Sequence, residues 1–368
     1  MKYIYALTAA LFIILFSAIP ARAIDYDTKK ITDSLSDEAR GSLDRLGADA
    51  PSVEDMKDLS FDSLLGELLS DSEKSLRSPL ASLVSLIACL LVCSLFYSLK
   101  GSAKTTAMRG VLSLCASLCV TLTVCAPILG FIDSASTVIK AAADFSLAYI
   151  PALAFALSAS GRAVSSASYY GLNIFLGQTV SRASSDLIAP FLKAMLALSV
   201  TDAVSHNVDL SGIIKTVSKY TKLALVFLMT LFSSFLSVKQ LLGAGADNLS
   251  SRAVRLGLSS LVPVVGAALS ESYKTVEGSV GLLKSGVGVF ALLGVAFTFL
   301  PVVLSAVFWS LSLSAGKCVA ELLNLREPAS LLGSVGEVIS SALAVLLSVM
   351  TVFIISTAIA LTAGGSNG

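Results

Sequence analysis

Residues 287–311 read VGVFALLGVAFTFLPVVLSAVFWSL, a stretch of 25 residues without a charged side chain. About 20 helical residues are enough to cross a hydrocarbon layer roughly 30 Å thick, so this stretch is long enough to span a membrane. The whole chain has the same character, because 55% of its 368 residues are hydrophobic, only 14% are charged and the mean hydropathy is +0.84. An average soluble domain carries about 25% charged residues. The sequence therefore predicts an all-α polytopic membrane protein.

Seven further apolar blocks accompany this stretch. The eight blocks cover residues 80–99, 111–132, 145–160, 187–204, 223–238, 256–269, 287–311 and 338–363. The third and sixth blocks are short and each contains a central proline, so each is either a full tilted span, a broken helix or a re-entrant hairpin. We therefore predict six to eight transmembrane helices within residues 80–368, and we favour eight.

The chain begins with the pattern of a signal peptide over residues 1–23. Lys2 provides the positive start, an apolar stretch follows, and Ala21-Arg22-Ala23 forms a small-x-small cleavage site. The alternative is an uncleaved anchor helix, which leaves the next segment on the same side. Residues 24–79 hold 14 acidic and 7 basic residues and are predicted to be an extracytoplasmic, amphipathic helical segment. Its second helix, near residues 61–70, is expected to rest on the membrane surface or on a partner.

Lysines and arginines predict the orientation, because short cytoplasmic loops carry an excess of both. With residues 24–79 outside, the four predicted inner loops hold Lys100, Lys104 and Arg109; Arg162 and Arg182; Lys239, Arg252 and Arg255; and Lys317 and Arg326. Asp133 and Asp144 flank a predicted outer loop between the second and third blocks. The predicted outer loop 202–222 is an exception to the rule, since it contains Lys215, Lys219 and Lys222.

An internal repeat is suggested by the two short proline-containing blocks, which align without gaps so that Pro151 matches Pro263. In this interpretation, residues 80–132 form two first spans, about 139–240 form one repeat and about 251–363 form the second. Three spans in each repeat would make the two halves inverted, with broken helices that can meet ions or substrate in the middle of the bilayer. Chance agreement between two Ala/Leu/Ser-rich helices is the alternative.

Few residues suggest chemistry. Lys193 is an ionisable group inside an apolar block, which indicates either a functional site with a partner or a side chain that reaches the interface. Pro151, Pro263, Gly286 and Gly288 are candidate helix breaks or gating positions, and the glycines also suit close helix contact. The six cysteines and the one histidine form no metal-ligand spacing, and no catalytic or phosphate-binding motif is present. We therefore predict no enzyme activity and no cofactor, and the net charge of +1 gives no reason to expect nucleic acid as a partner.

Two stretches carry a resemblance to a known family. The first is LAYIP at 147–151 running on to SASG at 158–161, and the second extends from Arg252 through LVPVVG at 261–266 to LLKSGVG at 282–288. With the order of the apolar blocks, these stretches make nearly the whole chain resemble the stage III sporulation protein AE family of endospore-forming bacteria. The resemblance implies a multi-pass protein of the mother-cell membrane around the forespore. It also implies a stage III A assembly that joins the stage II Q protein of the forespore membrane in a channel or secretion-like conduit.

Three functional hypotheses follow. The first is a non-enzymatic membrane subunit of this sporulation channel, whose residues 24–79 contact partners between the two membranes. The second is a self-sufficient secondary transporter built on the inverted repeat. The third is a structural scaffold without a path through it.

Overall fold

A computed structural model describes residues 28–48, 51, 61–102, 106–160, 162–204, 210–261 and 266–362. All regular elements in these ranges are helical. The helices are α1 Thr28–Asp33, α2 Asp37–Arg45, α3 Phe61–Ser102, α4 Thr106–Ala159, α5 Ala163–Ala183, α6 Ala189–Val204, α7 Ser211–Leu261, α8 Gly266–Leu322 and α9 Arg326–Thr362, and a π-helical turn Ser184–Ile188 joins α5 to α6. The predicted signal peptide lies outside the described residues.

Six candidate membrane spans, judged by length and hydropathy, are found in the described part of the chain. They are Ser78–Ser98, Leu114–Ala159, Ala163–Ala203, Ser211–Asp247, Gly286–Leu322 and Arg326–Leu361. Six is the lower end of the predicted range. The eight-span arrangement that we favoured has more membrane crossings than the described helices provide.

The largest correction concerns α4, which joins two blocks that we predicted to be separate spans. Its 54 residues correspond to about 81 Å at 1.5 Å per residue, and the predicted outer loop from Asp133 to Asp144 is wrong because this segment is helical. The segment contains three consecutive alanines and neither glycine nor proline, so it favours helix. Its hydroxyls are satisfied inside the helix, since Ser134 Oγ donates to Gly130 O at 3.0 Å and Thr137 Oγ1 donates to Asp133 O at 3.0 Å.

The segment 162–204 is a second correction. We predicted a cytoplasmic loop holding Arg162 and Arg182, but Arg182 lies in α5, which continues through the π turn into α6. The π turn directly precedes Pro190, which has no amide hydrogen to donate to the carbonyl of Asp186. A π-helical turn is a usual way to accommodate a missing backbone hydrogen bond in a helix.

Contacts between distant residues show which helix ends lie together. Ser330 Oγ donates to Asp202 Oδ2 at 3.3 Å, and Ser218 Oγ donates to Glu337 Oε2 at 2.7 Å. The end of α6, the start of α7 and the start of α9 therefore share one end of the bundle, which we name the α8–α9 end. Asp247, late in α7, contacts the start of α5 at the opposite end.

This arrangement changes the predicted topology in two ways. The loop between α6 and α7 and the loop between α8 and α9 lie at the same end, although we predicted residues 202–222 outside and residues 317–326 inside. In addition, α5–α6 and α8 both run toward the α8–α9 end, so the segments 139–240 and 251–363 run in the same direction. The described helices therefore do not show an inverted arrangement, and the repeat itself stays a prediction.

The N-terminal helices pack on the bundle. The side chains of Ile31, Leu35 and Leu43 are each less than 10% exposed, and α2 contacts α8 while α1 contacts α4. The predicted second amphipathic helix is not a separate element, because α3 continues without interruption from Phe61 into the first span.

Candidate functional site

A cavity of about 800 Å³ lies between α2, α3, α4 and α8; we name it the N-terminal cavity. Its lining combines charged residues from α2 with small and apolar residues from the long helices. The lining residues are Asp37, Glu38, Gly41, Arg45, Ser78, Pro127, Gly130, Phe131, Ser134, Pro301, Val302, Ser305 and Trp309. With this volume, the cavity has room for a small molecule or for several side chains of a partner.

The position of α2 over this cavity is fixed by an N-cap and an ion pair. Ser36 caps the helix by accepting a hydrogen bond from the Ala39 amide at 3.3 Å, and Asp37 follows in the first turn, where negative charge is favourable. Arg45 Nε donates to Glu67 Oε1 of α3 at 2.7 Å, and Glu67 is buried. The charge of Arg45 is offset by Glu67 of α3. The carboxylates of Asp37 and Glu38 therefore give the rim of the cavity an acidic character.

Two prolines lie in the walls of the cavity. Pro127 is inside α4 and Pro301 is inside α8, and both helices are uninterrupted at these positions. A proline donates no hydrogen bond to the carbonyl four residues earlier, so the carbonyls of Thr123 and Phe297 lack their usual helical partners. Freed carbonyls beside a cavity are groups that water, ions or a partner can contact. We did not predict a role for Pro127 from the sequence.

The predicted gating positions have different surroundings. Pro151 lies inside α4, and Gly286 and Gly288 lie inside α8, so the helices continue through all three positions. A side chain at Gly288 would overlap the Leu361 side chain of α9, which makes this glycine a point of close helix contact. Pro263 lies outside the described residues. A role in gating stays a prediction for these positions.

Lys193 is joined to a residue that we had placed in a loop. Its Nζ lies 2.6 Å from Asp133 Oδ1 of α4, with the two side chains 43% and 60% exposed. Close by, Ser136 Oγ and Ser184 Oγ are 3.0 Å apart. The structure therefore provides the partner that an intramembrane lysine requires, on the surface of the bundle rather than in a cavity.

A set of buried polar side chains connects α4, α5 and α9. The hydroxyls of Tyr149 and Thr357 are 2.8 Å apart, and the Ser356 hydroxyl donates to the Asn173 side-chain oxygen. These four residues are at most 2% exposed. The sequence analysis missed this set; its only signal was the presence of single polar residues in apolar stretches.

Two carboxylates bind across helices. Asp247 of α7 accepts hydrogen bonds from the amides of Val164 and Ser165 at 2.9 and 3.0 Å, so it caps α5 from another helix. At the α8–α9 end, Glu337 accepts hydrogen bonds from Ser218 and from Lys222 Nζ at 3.2 Å. Both contacts fix the position of α7, whose outward face is largely apolar and exposed.

The sites described above are suited to packing between helices and to binding a ligand or a partner. In the described ranges, no group of three His, Cys, Asp or Glu side chains lies close enough to hold a metal ion. The six cysteines are free. The arrangement therefore offers cavities, ion pairs and polar helix contacts, and none of the sites described above pairs a nucleophile with a base.

The apolar helices of the described chain, with polar contacts buried between them, define a multi-pass helical membrane protein. Comparison with known proteins then identifies the family. The model of the stage III sporulation protein AE family matches residues 49–364, so the chain belongs to this family. Stage III sporulation protein AE of Bacillus subtilis (strain 168) is 27% identical over 165 residues, which cover 45% of this chain and 41% of that relative. No solved structure matches the chain.

Proposed function

We propose that this chain is a non-enzymatic membrane subunit of a sporulation channel or secretion-like complex that links the mother cell to the forespore. The proposal rests on the family match over residues 49–364. Its partners in the proposal are the other stage III A proteins and, through the assembly, the stage II Q protein of the forespore membrane. The chain acts in the mother-cell membrane around the forespore and supports late forespore development.

In the proposed orientation the α8–α9 end lies in the cytoplasm, because α3 leads to this end from the predicted extracytoplasmic residues 24–79: the Tyr97 hydroxyl, late in α3, donates to Glu327 at the start of α9. Basic residues at or beside this end are Lys100, Arg109, Lys215, Lys219, Lys222, Lys317 and Arg326. The parts of α5, α7 and α8 toward the opposite end carry six, namely Arg162, Lys239, Arg252, Arg255, Lys274 and Lys284, so the two ends differ little in positive charge. Because cytoplasmic loops are enriched in lysine and arginine, the former exception 202–222 now agrees with the rule. In this orientation α3 starts outside, and so do the helices α1 and α2 before it.

The N-terminal helices and the N-terminal cavity are the proposed site of contact with other subunits. Asp37 and Glu38 lie at the rim of the cavity, and Arg45, the basic residue of this lining, is paired with Glu67 of α3. An acidic rim is complementary to a basic segment of a partner. The secondary-transporter alternative is less favoured, because α5–α6 and α8 run in the same direction.

Deletion of the gene is the first test. We expect a block after engulfment, and therefore a loss of heat-resistant spores by orders of magnitude, which an intact copy restores. A deletion strain that forms normal numbers of heat-resistant spores would show that the proposed function is wrong.

The contact surface has a sharper test. The double variant Asp37→Asn with Glu38→Gln removes the rim charges, and we expect it to lower co-purification of the other stage III A proteins and the spore count together. Asp44→Asn is the matched control, because Asp44 is exposed on the same helix but does not line the cavity. Equal losses with the control, or none with the double variant, would exclude this rim as the contact.

A further inference from the structure

A second polar cavity, of about 420 Å³, lies at the α8–α9 end; we name it the basic cavity. Three helices and one turn surround it. The lining residues are Ser211, Lys215, Lys317, Glu321, Asn324, Leu325, Arg326, Ala329, Ser330, Gly333, Ser334 and Glu337. Polar and charged side chains form most of this lining, whereas the rest of the bundle interior is mainly apolar.

The charges in the basic cavity are not balanced. Three cations, Lys215, Lys317 and Arg326, face two carboxylates. Glu337 is also engaged from outside the cavity, because Lys222 Nζ lies 3.2 Å from its Oε2. Lys317 lies 3.8 Å from Glu321 in an exposed pair of the kind that contributes little. Asp202 also reaches the cavity, because its Oδ2 accepts a hydrogen bond from Ser330 of the lining. With Lys222 and Asp202 both counted, four cations face three carboxylates, and the one excess positive charge attracts an anion.

The turn between α8 and α9 shapes the cavity. The long helices α7 and α9 both begin there, with Ser211 and Arg326 as their first residues. Asp202 Oδ1 already accepts a hydrogen bond from the Leu210 amide before α7 at 2.6 Å, and Pro328 in the first turn of α9 has no amide hydrogen. The end of α8 is closed by its own turn: Asn324 has a positive φ of 60°, and the Leu325 amide donates to Ala320 O at 2.8 Å. This turn brings the start of α9 beside the last turns of α8.

The Lys317 side chain lies against α9 at Gly333. A Cβ atom at Gly333 would lie 3.7 Å from Lys317 Nζ and 3.8 Å from its Cδ and Cε atoms. The lysine side chain thus crosses the α9 backbone at Gly333 with its amine in the cavity. A larger residue at position 333 would occupy this space without changing any charge.

The location of the cavity narrows the chemistry of the anion. Three candidate spans, Ser211–Asp247, Gly286–Leu322 and Arg326–Leu361, have one end there. We take this end of the spans to lie at the level of the lipid headgroups, where basic pockets between helices bind phosphate-containing headgroups. Arginine and lysine together are well suited to a phosphate, the first as a planar fork and the second as a point charge.

We propose that the basic cavity binds a phosphate group, with Lys215, Lys317 and Arg326 as its ligands, and that the headgroup of an anionic phospholipid supplies it. This site is separate from the N-terminal cavity and does not depend on the proposed sporulation partners. Free inorganic phosphate offers the same chemistry and is distinguished by the experiment.

The experiment is a lipid titration of the purified full-length chain in detergent, followed by native mass spectrometry. Phosphatidylglycerol is compared with phosphatidylcholine, and inorganic phosphate is added as a competitor in a separate series. We expect phosphatidylglycerol to bind preferentially, and Lys215→Gln and Arg326→Gln each to weaken it by about tenfold, the effect of losing one charge-assisted contact. Retained binding in the presence of inorganic phosphate identifies the lipid as the source, whereas displacement at low millimolar phosphate identifies the free anion.

Two further variants keep the test decisive. Lys219→Gln is the matched control on α7, because Lys219 is exposed and does not line the cavity; we expect less than about a twofold change, as for a screened surface charge. Gly333→Val keeps every charge but fills the space beside Lys317, and we expect it to weaken binding as strongly as the loss of one cation. Equal effects of Lys219→Gln and Lys215→Gln, unchanged binding in Arg326→Gln and Gly333→Val, or no preference over phosphatidylcholine would overturn the proposal.

Discussion

Replacing Gly294 by alanine tests how tightly the N-terminal helices and α4 pack on α8. A Cβ atom at this position would lie 2.6 Å from the Phe145 ring of α4 and 2.9 Å from Leu35 Cδ2. The ring has little room to move, because Phe145 is fully buried and packs on Tyr149 at 5.1 Å and on Phe290 at 6.4 Å between ring centroids. Overpacking of this kind costs about 1–3 kcal/mol, and alanine recovers about 0.5–1 kcal/mol of helix propensity. We therefore expect a net loss of about 1–2 kcal/mol.

The assay is thermal unfolding of the purified chain in detergent, followed by the fluorescence of Trp309, the one tryptophan of the chain. At about 2 °C per kcal/mol for a long chain, Gly294→Ala should lower the midpoint by about 2–4 °C. Gly336→Ala is the matched control, because a Cβ atom at Gly336 meets nothing within 4 Å, and we expect it to be neutral or slightly stabilising.

A double-mutant cycle identifies the cause. Phe145→Leu alone removes ring contacts and should destabilise the chain, but in the Gly294→Ala background it also relieves the overlap. The loss of stability in the double variant should therefore be smaller than the sum of the two single losses, by about 1 kcal/mol. Full additivity, or a Gly294→Ala variant as stable as the wild-type chain, would refute the close contact between α8 and α4.

Three further outcomes are expected in the same unfolding assay. Lys193→Met should destabilise the chain because it leaves Asp133 unpaired, and exchanging the two residues should restore most of the loss; a swap as unstable as the single variant would argue against the pair. Asp247→Ala should cost about 1–3 kcal/mol, because two amides at the start of α5 lose their acceptor, whereas Asp144→Ala, at an exposed site, should stay within about 0.5 kcal/mol. Tyr149→Phe should cost about 0.6 kcal/mol, the average for a hydrogen bond between membrane helices. Thr357 Oγ1 also donates to Phe353 O, so the pair is tested by repeating Tyr149→Phe in a Thr357→Val background; an equal loss in both backgrounds would show that the two hydroxyls do not act as a pair.

Helix type was predictable from the sequence, but helix continuity was not. Long uncharged stretches such as 287–311 specify membrane helices through length and hydropathy alone. Asp133 and Asp144 were interpreted as the ends of a loop, although charges mark a polar environment and do not interrupt a helix. The alanines between them favour helix, and this local propensity determined the outcome in α4. One missed continuity was enough to change the span count and the relative direction of the two halves.

Some residues of the candidate sites could also be predicted from the sequence, whereas their pairing could not. Lys193 was found because a single charge is conspicuous in an apolar block, and the density of glycine near Gly288 predicted close helix contact. Asn173 and Ser356 are 183 positions apart in the chain, and only their helix packing brings them together. Sequence patterns reveal which residues are unusual, whereas pairing between distant helices depends on the packing of the whole bundle.

The depth of Lys193 in the membrane could not be judged from its own helix alone, because it also depends on which part of α4 lies beside it. Counted from Leu187, where the apolar block begins, Lys193 is well inside an apolar stretch. In the structure, however, α6 continues α5, and Lys193 lies opposite Asp133, at the boundary between the two apolar blocks of α4. A helix of about 81 Å standing upright cannot keep both blocks within a hydrocarbon layer roughly 30 Å thick. A polar boundary between the blocks is therefore expected, and an exposed ion pair at that boundary is less costly than a lone charge in the middle of the bilayer.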